Sequence, residues 1–339
     1  MIATTPVARW SWGEPGHATD LAHEAVRRLH AVLGVLERHR LGTAHEGRVN
    51  VTVPEMGRKR MLLRTDLLVG ESNAGAADES SVAQLEARIK EGIAPGEIGG
   101  VELYTSCDGL VESGTGGTEK TEGLFALSIE VSEGYFNVAL TTFSDAWMPF
   151  DLRGRAQEDV FAANQPRLVS AFAEISEKLD LEIDPGDPTW LGIPTESGVE
   201  NHFEDDDGSP SDVWGRFEIP YRNGIFSQSP KFTAGYGRQA SGPVRYAPVL
   251  GPNSVLGYLW ASDAEGAASF EPREEADLDA YRAGLIWLDR LQQAYDRGLP
   301  PTGALAELGE LPCTPVAGRA DVTATTVDEF RTLAELAQQ

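Results

Sequence analysis

Cysteine and long apolar runs are both scarce in this sequence. Its 339 residues include two cysteines, Cys107 and Cys313, too few for a disulfide framework or a zinc knuckle. No apolar run approaches the roughly 20 residues that a membrane-spanning helix needs. The first residues also lack the basic and apolar regions of a secretory signal. We therefore expect a cytoplasmic protein without membrane association, with both cysteines as packed thiols.

Basic residues are the second shortage. The chain has 28 Lys and Arg against 53 Asp and Glu, and residues 179–215 contain eleven acidic residues and no Lys or Arg. Nucleic acids and anionic membranes are bound through cations that displace counterions, so this charge excludes them as partners. The same field attracts basic proteins and speeds their encounter. A plainer interpretation, that the acidity only maintains solubility, stays open.

Signatures of catalysis are also missing. Residues 114–121, GTGGTEKT, come close to a phosphate-binding P-loop, but Glu119 replaces the second glycine. A P-loop opens a helix, whereas the residues that follow alternate in the manner of a strand, with Phe125, Leu127, Ile129 and Val131 on one face. The segment is therefore predicted to be a hairpin loop.

Other candidate motifs fail in similar ways. His23 and Glu24 begin a zinc-hydrolase pattern, but Arg27 occupies the position of the second histidine, and no G-x-S-x-G elbow is present. Residues 235–242, GYGRQASG, are interpreted as a turn, because no helix follows them directly. The acidic cluster 204–212 lacks the glycine and the distal glutamate of an EF-hand loop. The sequence therefore predicts no catalytic residue, no cofactor and no metal.

Helical and strand patterns alternate irregularly along the chain. Apolar residues at helical spacing predict helices over 17–40, 80–92, 164–180, 277–298, 302–311 and 325–337. Alternating β-branched and aromatic residues predict strands over 48–53, 58–70, 99–113, 122–132, 134–144, 244–250 and 255–262. In the third helix, Asn164 is expected to be the N-cap and Pro166 to lie in the first turn.

This order favours an α+β protein with mainly antiparallel sheets and flanking helices, as one large domain or two closely packed domains. We predict an N-terminal α+β domain over 1–182 and a C-terminal domain of a hairpin and helices over 216–339. Residues 183–215 form an acidic connection rich in Pro and Gly. Its tryptophans indicate a packed surface rather than a free tether.

Aromatic and acidic residues mix in and around this connection. Protein interfaces favour aromatic anchors surrounded by a charged rim. The candidate partner-binding residues are Trp190, Glu204, Asp205, Asp206, Asp207, Asp212, Trp214 and Tyr221. They predict a basic protein as the partner.

Three phrases carry a resemblance to a known class: FSDAWMPFDLRGRAQ, DPGDPTWLGIPTESGVEN and VLGYLWASDAEGAASF. Over about residues 140–310 the chain resembles immunity-type proteins encoded beside actinobacterial polymorphic toxins. The resemblance implies a cytoplasmic, non-catalytic protein that binds a toxin domain and occludes its active site. It assigns no role to any single residue.

These observations favour a non-catalytic, protein-binding immunity factor over an enzyme. One alternative is a hydrolase or transferase with an unrecognised carboxylate site, which a cleft with a strongly shifted carboxylate pKa would favour. A second alternative is a structural component of a larger assembly, which a large symmetric interface would favour.

Overall fold

The chain divides into two compact units, Met1–Glu218 and Ile219–Gln339. The computed structural model describes residues 1–69, 79–114, 116–202, 204, 208–228, 235–252 and 254–338. Within these ranges it contains seven helices and three antiparallel sheets, so the predicted α+β class is confirmed. The segment 183–215, which we predicted to connect two domains, falls inside the first unit.

An antiparallel sheet forms the centre of the first unit. Its strands are β1 (Ala8–Pro15), β2 (Thr43–Ala44), β3 (Arg48–Pro54), β4 (Met61–Leu68), β5 (Gly100–Glu112), β6 (Thr118–Ser132), β7 (Tyr135–Thr142) and β8 (Asp184–Pro185). They lie in the order β4-β3-β5-β6-β7-β1-β8, and β2 pairs with β5. The helices are α1 (Leu21–Arg38), α2 (Glu79–Gly92) and α3 (Glu158–Leu179), and β9 (Ile193–Thr195) pairs with β10 (Gly198–Glu200).

Helix α1 covers the middle of this sheet because one of its faces is apolar. Its buried face includes Leu29, Val32 and Leu36, and it packs on β5, β6 and α3. The Asp20 carboxylate accepts a hydrogen bond from the backbone N–H of His23 at 3.1 Å, which caps the first turn. The periodic spacing that predicted this helix therefore corresponds to its buried surface.

Strand β1 was not predicted, although its pattern is short and clear. Trp10 and Trp12 alternate with more exposed residues and are fully buried in the core. The Trp10 ring lies 4.6 Å from the ring of Phe172 on α3, and the Trp12 indole N–H donates to Ser176 at 2.8 Å. The two tryptophans therefore fix α3 against the sheet.

The P-loop-like segment is a hairpin loop, as predicted. Its turn lies between β5 and β6, which pair in antiparallel register, and residues 118–121 already belong to β6. A Cβ at Gly114 would lie 2.1 Å from the Cβ of Asp159. The glycine is therefore needed for close packing against α3, and no helix follows the loop.

The predicted start of the third helix was wrong. Helix α3 begins at Glu158, and Pro166 lies inside it. The Asn164 side chain is fully buried and binds the backbone of Glu112 at the end of β5 instead of capping the helix. Proline and asparagine are both typical of helix starts, so local preference pointed to a boundary that tertiary contacts override.

The second unit is a smaller sheet with helices on both faces. Its elements are α4 (Ile219–Gln228), β11 (Pro243–Leu250), β12 (Val255–Ser262), β13 (Ala267–Pro272), α5 (Asp277–Asp296), α6 (Pro301–Gly309), β14 (Arg319–Ala320), β15 (Thr326–Glu329) and α7 (Phe330–Ala337). The order is β13-β12-β11-β14, and β15 pairs with β11. Trp287 of α5 and Leu305 of α6 pack on one face, and Leu333 of α7 packs with Trp260 on the other. Residues 325–337, which we predicted as one helix, form strand β15 followed by the shorter helix α7.

The two thiols have opposite surroundings. Cys107 is buried, as expected, but Cys313 is exposed, which corrects our expectation that both are packed. Burial raises the pKa of the Cys107 thiol to about 12, with a smaller contribution from Asp108, and the thiolate is the reactive form. Ellman's reagent is expected to modify one thiol in the native protein and two after denaturation, and Cys313→Ser should abolish the native reaction. Equal native reaction of both thiols would contradict this arrangement.

Candidate functional site

A tight turn, 189–192, presents the most exposed tryptophan of the first unit. The Thr189 N–H donates to the Gly192 carbonyl at 2.9 Å, and the Thr189 hydroxyl accepts from the N–H groups of Leu191 and Gly192 at 3.0 Å each. The same hydroxyl donates to the Val7 carbonyl at 2.8 Å, which ties the turn to the chain just before β1. Leu191 points into the core, so its neighbour Trp190 points outward.

The Trp190 side chain is held in place although it is exposed. It is 68% exposed, and its ring lies 5.2 Å from the ring of Phe217. Phe217 belongs to a π-helical turn, Trp214–Glu218, and the Arg216 guanidinium lies 5.0 Å from the centre of its ring. An aromatic side chain that is already ordered loses little conformational freedom on binding, which suits an interface anchor.

Acidic side chains without local compensation share this part of the chain. Every described acidic residue of 179–215 is exposed, and none forms an ion pair with a described residue: Asp180, Glu182, Asp184, Asp187, Glu196, Glu200, Glu204 and Asp212. These carboxylates share one stretch of the chain with Trp190, and we call Trp190 together with them the Trp190 surface. Its negative charge is left to solvent or to a partner.

Acidic residues elsewhere in the first unit are often paired. Glu24 accepts from Arg28 at 2.7 Å, and Asp151 accepts from Arg155 at 2.8 Å. Glu174 accepts from His39 at 2.8 Å and also contacts Arg38. These neighbours lower the pKa of the Glu174 carboxyl, mainly through the hydrogen bond from Arg38. The Trp190 surface therefore lacks the ion pairs of these residues, although Glu119, Glu130 and Glu133 of the same unit are also exposed without an ion pair to a described residue.

Two of the predicted acidic residues are exposed, and three lie outside the described residues. Glu204 is exposed and forms a β-bridge with Pro210. Asp212 is exposed as well, and its carboxylate accepts from the Gly215 N–H at 2.9 Å, so it also orders the turn that carries Phe217. Asp205, Asp206 and Asp207 lie outside the described residues.

The three predicted aromatic anchors differ in their exposure to solvent. Trp190 is exposed, but Trp214 is 0% exposed, so its ring cannot contact a partner, and its assignment as an anchor is wrong. The Trp214 backbone N–H donates to the Leu152 carbonyl at 2.9 Å, which places it in the core of the first unit. Tyr221 is 48% exposed and belongs to the second unit.

Neither a metal centre nor a phosphate cradle is assembled in the described ranges. These residues hold no group of three or more His, Cys, Asp and Glu side chains that could bind a metal ion. Lys120, the lysine of the P-loop-like pattern, lies 3.8 Å from the Asp108 carboxylate. That carboxylate also contacts His45 at 2.8 Å and raises the pKa of His45, mainly through the hydrogen bond.

Comparison of the chain with protein-family models, curated proteins and solved structures found no match. Across the described ranges, none of the helices combines the length and the apolar character that crossing a bilayer would need.

Proposed function

We propose that this chain is a protein-binding module and that the Trp190 surface binds a basic protein. One observation carries the proposal: an ordered, exposed tryptophan lies in a segment whose described carboxylates are all exposed and unpaired. Interfaces place aromatic anchors at their centre and charged residues at their rim. A negative rim fits a partner with Lys and Arg around its own binding site.

The physical contributions of the two parts differ. Rim carboxylates steer the encounter and select a basic partner, and their effect falls as salt is added. Trp190 supplies apolar contact area, whose effect on the dissociation rate depends little on salt. Charge reversal should therefore act mainly on association, and truncation of Trp190 mainly on dissociation.

In the finer form of the proposal, the basic partner is a toxin domain and the Trp190 surface covers its active site. The support for this form is the sequence resemblance to immunity-type proteins. Inhibition would be steric and electrostatic, with one copy of this chain on one toxin domain. Purified partner assayed with increasing amounts of this chain should lose activity up to an equimolar ratio.

The first experiment compares variants in a pull-down from native lysate at low and high salt. The variants are Trp190→Ala and a triple reversal, Asp187→Lys, Glu196→Lys and Glu200→Lys. We expect the wild-type protein to retain a basic protein that both variants lose. With that partner purified, the triple reversal should slow association by about tenfold or more at low salt.

A matched control makes the same charge change elsewhere in the first unit. Glu119, Glu130 and Glu133 are exposed and form no ion pair with a described residue, so their triple change to Lys gives the same net charge. This control should keep the partner. Equal loss in the control would reduce the effect to net charge, and retention by Trp190→Ala and the triple reversal together would reject the Trp190 surface.

A further inference from the structure

A cleft of about 570 Å³ opens at the edge of the sheet in the second unit. Its lining includes Phe226, Arg238, Ser269, Glu271, Pro272 and Phe330. Strand β13 forms one wall, and the backbone of Gly237 bonds to the residues at its start, accepting from the Ala268 N–H at 2.9 Å. Clefts of about 300–1,000 Å³ that combine apolar walls with a few polar groups are typical of small-molecule sites.

Arg238 provides N–H donors that the described residues leave unused. Its Nη2 donates to the Phe226 carbonyl at 3.0 Å, and the guanidinium carbon lies 5.4 Å from the centre of the Phe226 ring. Its Nε and Nη1 are buried and have no hydrogen-bond partner among the described residues. Burial lowers the pKa of the Arg238 guanidinium. The ordinary pKa of arginine is so high that the group stays charged at neutral pH. The side chain as a whole is half-buried, and buried N–H donors without an acceptor are costly.

Glu271 is the acidic group of the same cleft, and it forms no hydrogen bond or ion pair with a described residue. Burial raises its pKa to about 7, and the charge of Arg238 offsets part of that rise. Tyr258 lies opposite it on β12, and Arg273, two residues further on, pairs with Glu275 at 2.5 Å. Helix α7 contributes only apolar lining, through Phe330 and Ala334.

We propose that this cleft binds a small molecule that carries one carboxylate on an apolar, planar body. The carboxylate would pair with the Arg238 guanidinium, which would turn its Nε–H and Nη1–H out of the protein toward the cleft, since guanidinium and carboxylate match in charge and geometry. The body would lie among the phenylalanine rings and Pro272. Neutral, protonated Glu271 would donate to the bound carboxylate, and ionised Glu271 would repel it. This inference concerns the second unit and does not rest on the proposed protein partner.

The balance of charge favours a singly charged ligand. One guanidinium faces one carboxyl in the described lining, so a phosphate dianion would face a single cation and an acidic neighbour. The shifted carboxyl is also the feature we named as favouring a hydrolase or transferase. However, the described lining contains no His, no Cys and no second carboxylate, and its one hydroxyl group, on Ser269, forms no hydrogen bond with the Glu271 carboxyl. No nucleophile–base or acid–base pair is therefore assembled among these residues. These groups support recognition rather than catalysis.

The test titrates cinnamate into the full-length protein by calorimetry, with cinnamamide and inorganic phosphate as comparison ligands. Cinnamate should bind one site, and the other two should not. Its affinity should be about tenfold weaker at about pH 8 than at about pH 6, because the free protein must first protonate Glu271. Measurements in two buffers of different ionisation enthalpy should show proton uptake at the higher pH.

Variants separate the roles of the two residues. Arg238→Gln should weaken the affinity for cinnamate by at least about tenfold. Arg319 is an exposed arginine of the same unit, and Arg319→Gln should leave the affinity unchanged. Arg238→Lys keeps the charge and should bind at an intermediate level. Glu271→Gln should bind cinnamate equally at both pH values and take up no proton. Equal binding of cinnamate and cinnamamide, or no binding of cinnamate at either pH, would overturn the proposal.

Discussion

Glu271→Gln is expected to stabilise the second unit by about 3 kcal/mol at about pH 8. Burial raises the pKa of the Glu271 carboxyl from 4.5 to about 7, so the folded state binds its proton more tightly than the unfolded state. Below about pH 4.5 the carboxyl is protonated in both states and costs nothing. As pH rises to about 7 the unfolded state ionises first, and stability is lost. Glutamine does not ionise, so its advantage should appear only across that window.

The measurement is urea unfolding of the full chain at several pH values, followed by hydrogen exchange in α5 and β12. Those elements report the second unit separately from the first. Glu310→Gln, on an exposed residue of the same unit, serves as the control and should leave the pH profile of the wild-type protein unchanged. A constant difference between Glu271→Gln and wild type from about pH 4.5 to 8 would show that burial does not shift this carboxyl.

Local periodicity predicted the elements whose burial follows the chain directly. The spacing of Leu29, Val32 and Leu36 gave α1, because each of these residues faces the sheet. The alternation of Phe125, Leu127 and Ile129 gave β6 and excluded a P-loop helix. In these elements the local pattern and the tertiary burial agree, so sequence alone was sufficient.

The structure differs from the predicted start of α3 and from the separate connection predicted over 183–215, because long-range contacts decide both. Thr189 binds Val7 and the indole N–H of Trp10 donates to Thr195 at 2.8 Å, so residues 183–215 belong to the first unit despite their linker-like composition. Proline and glycine mark turns, but they do not say which surface a turn packs against. The surface that residues 183–215 pack against is formed by β1 and the residues just before it, which are distant in sequence.

The candidate site was predictable in composition but not in geometry. Trp190 and Trp214 occur in similar acidic surroundings in the sequence, yet one is exposed and the other is buried. The difference arises because Leu191 beside Trp190 fills the core, whereas the Trp214 ring fills it itself. Arg238 and Glu271 are far apart in the chain, and GYGRQASG was interpreted only as a turn. Their meeting in one cleft depends on the edge of β13, which no local pattern indicates.

The buried Asn164 side chain, which we expected to cap α3, instead joins α3 to the end of β5. Asn164→Ala is expected to destabilise the first unit by about 3 kcal/mol. The Asn164 amide accepts from the Glu112 N–H at 2.9 Å and donates to the Glu112 carbonyl at 2.7 Å. It also accepts from Arg167 at 2.9 Å. Alanine would leave both backbone groups of Glu112 without this partner at a half-buried strand end.

Ser170→Ala on the same helix is the control, because Ser170 is exposed and bonds only to the Pro166 carbonyl, at 2.8 Å. Its effect should stay within about 0.5 kcal/mol. Urea unfolding with hydrogen exchange in β5 measures both variants, and exchange should rise most at the end of β5. If Asn164→Ala costs no more than Ser170→Ala, water replaces the amide there. The hydrogen bonds between Asn164 and Glu112 would then not explain why α3 continues through Pro166.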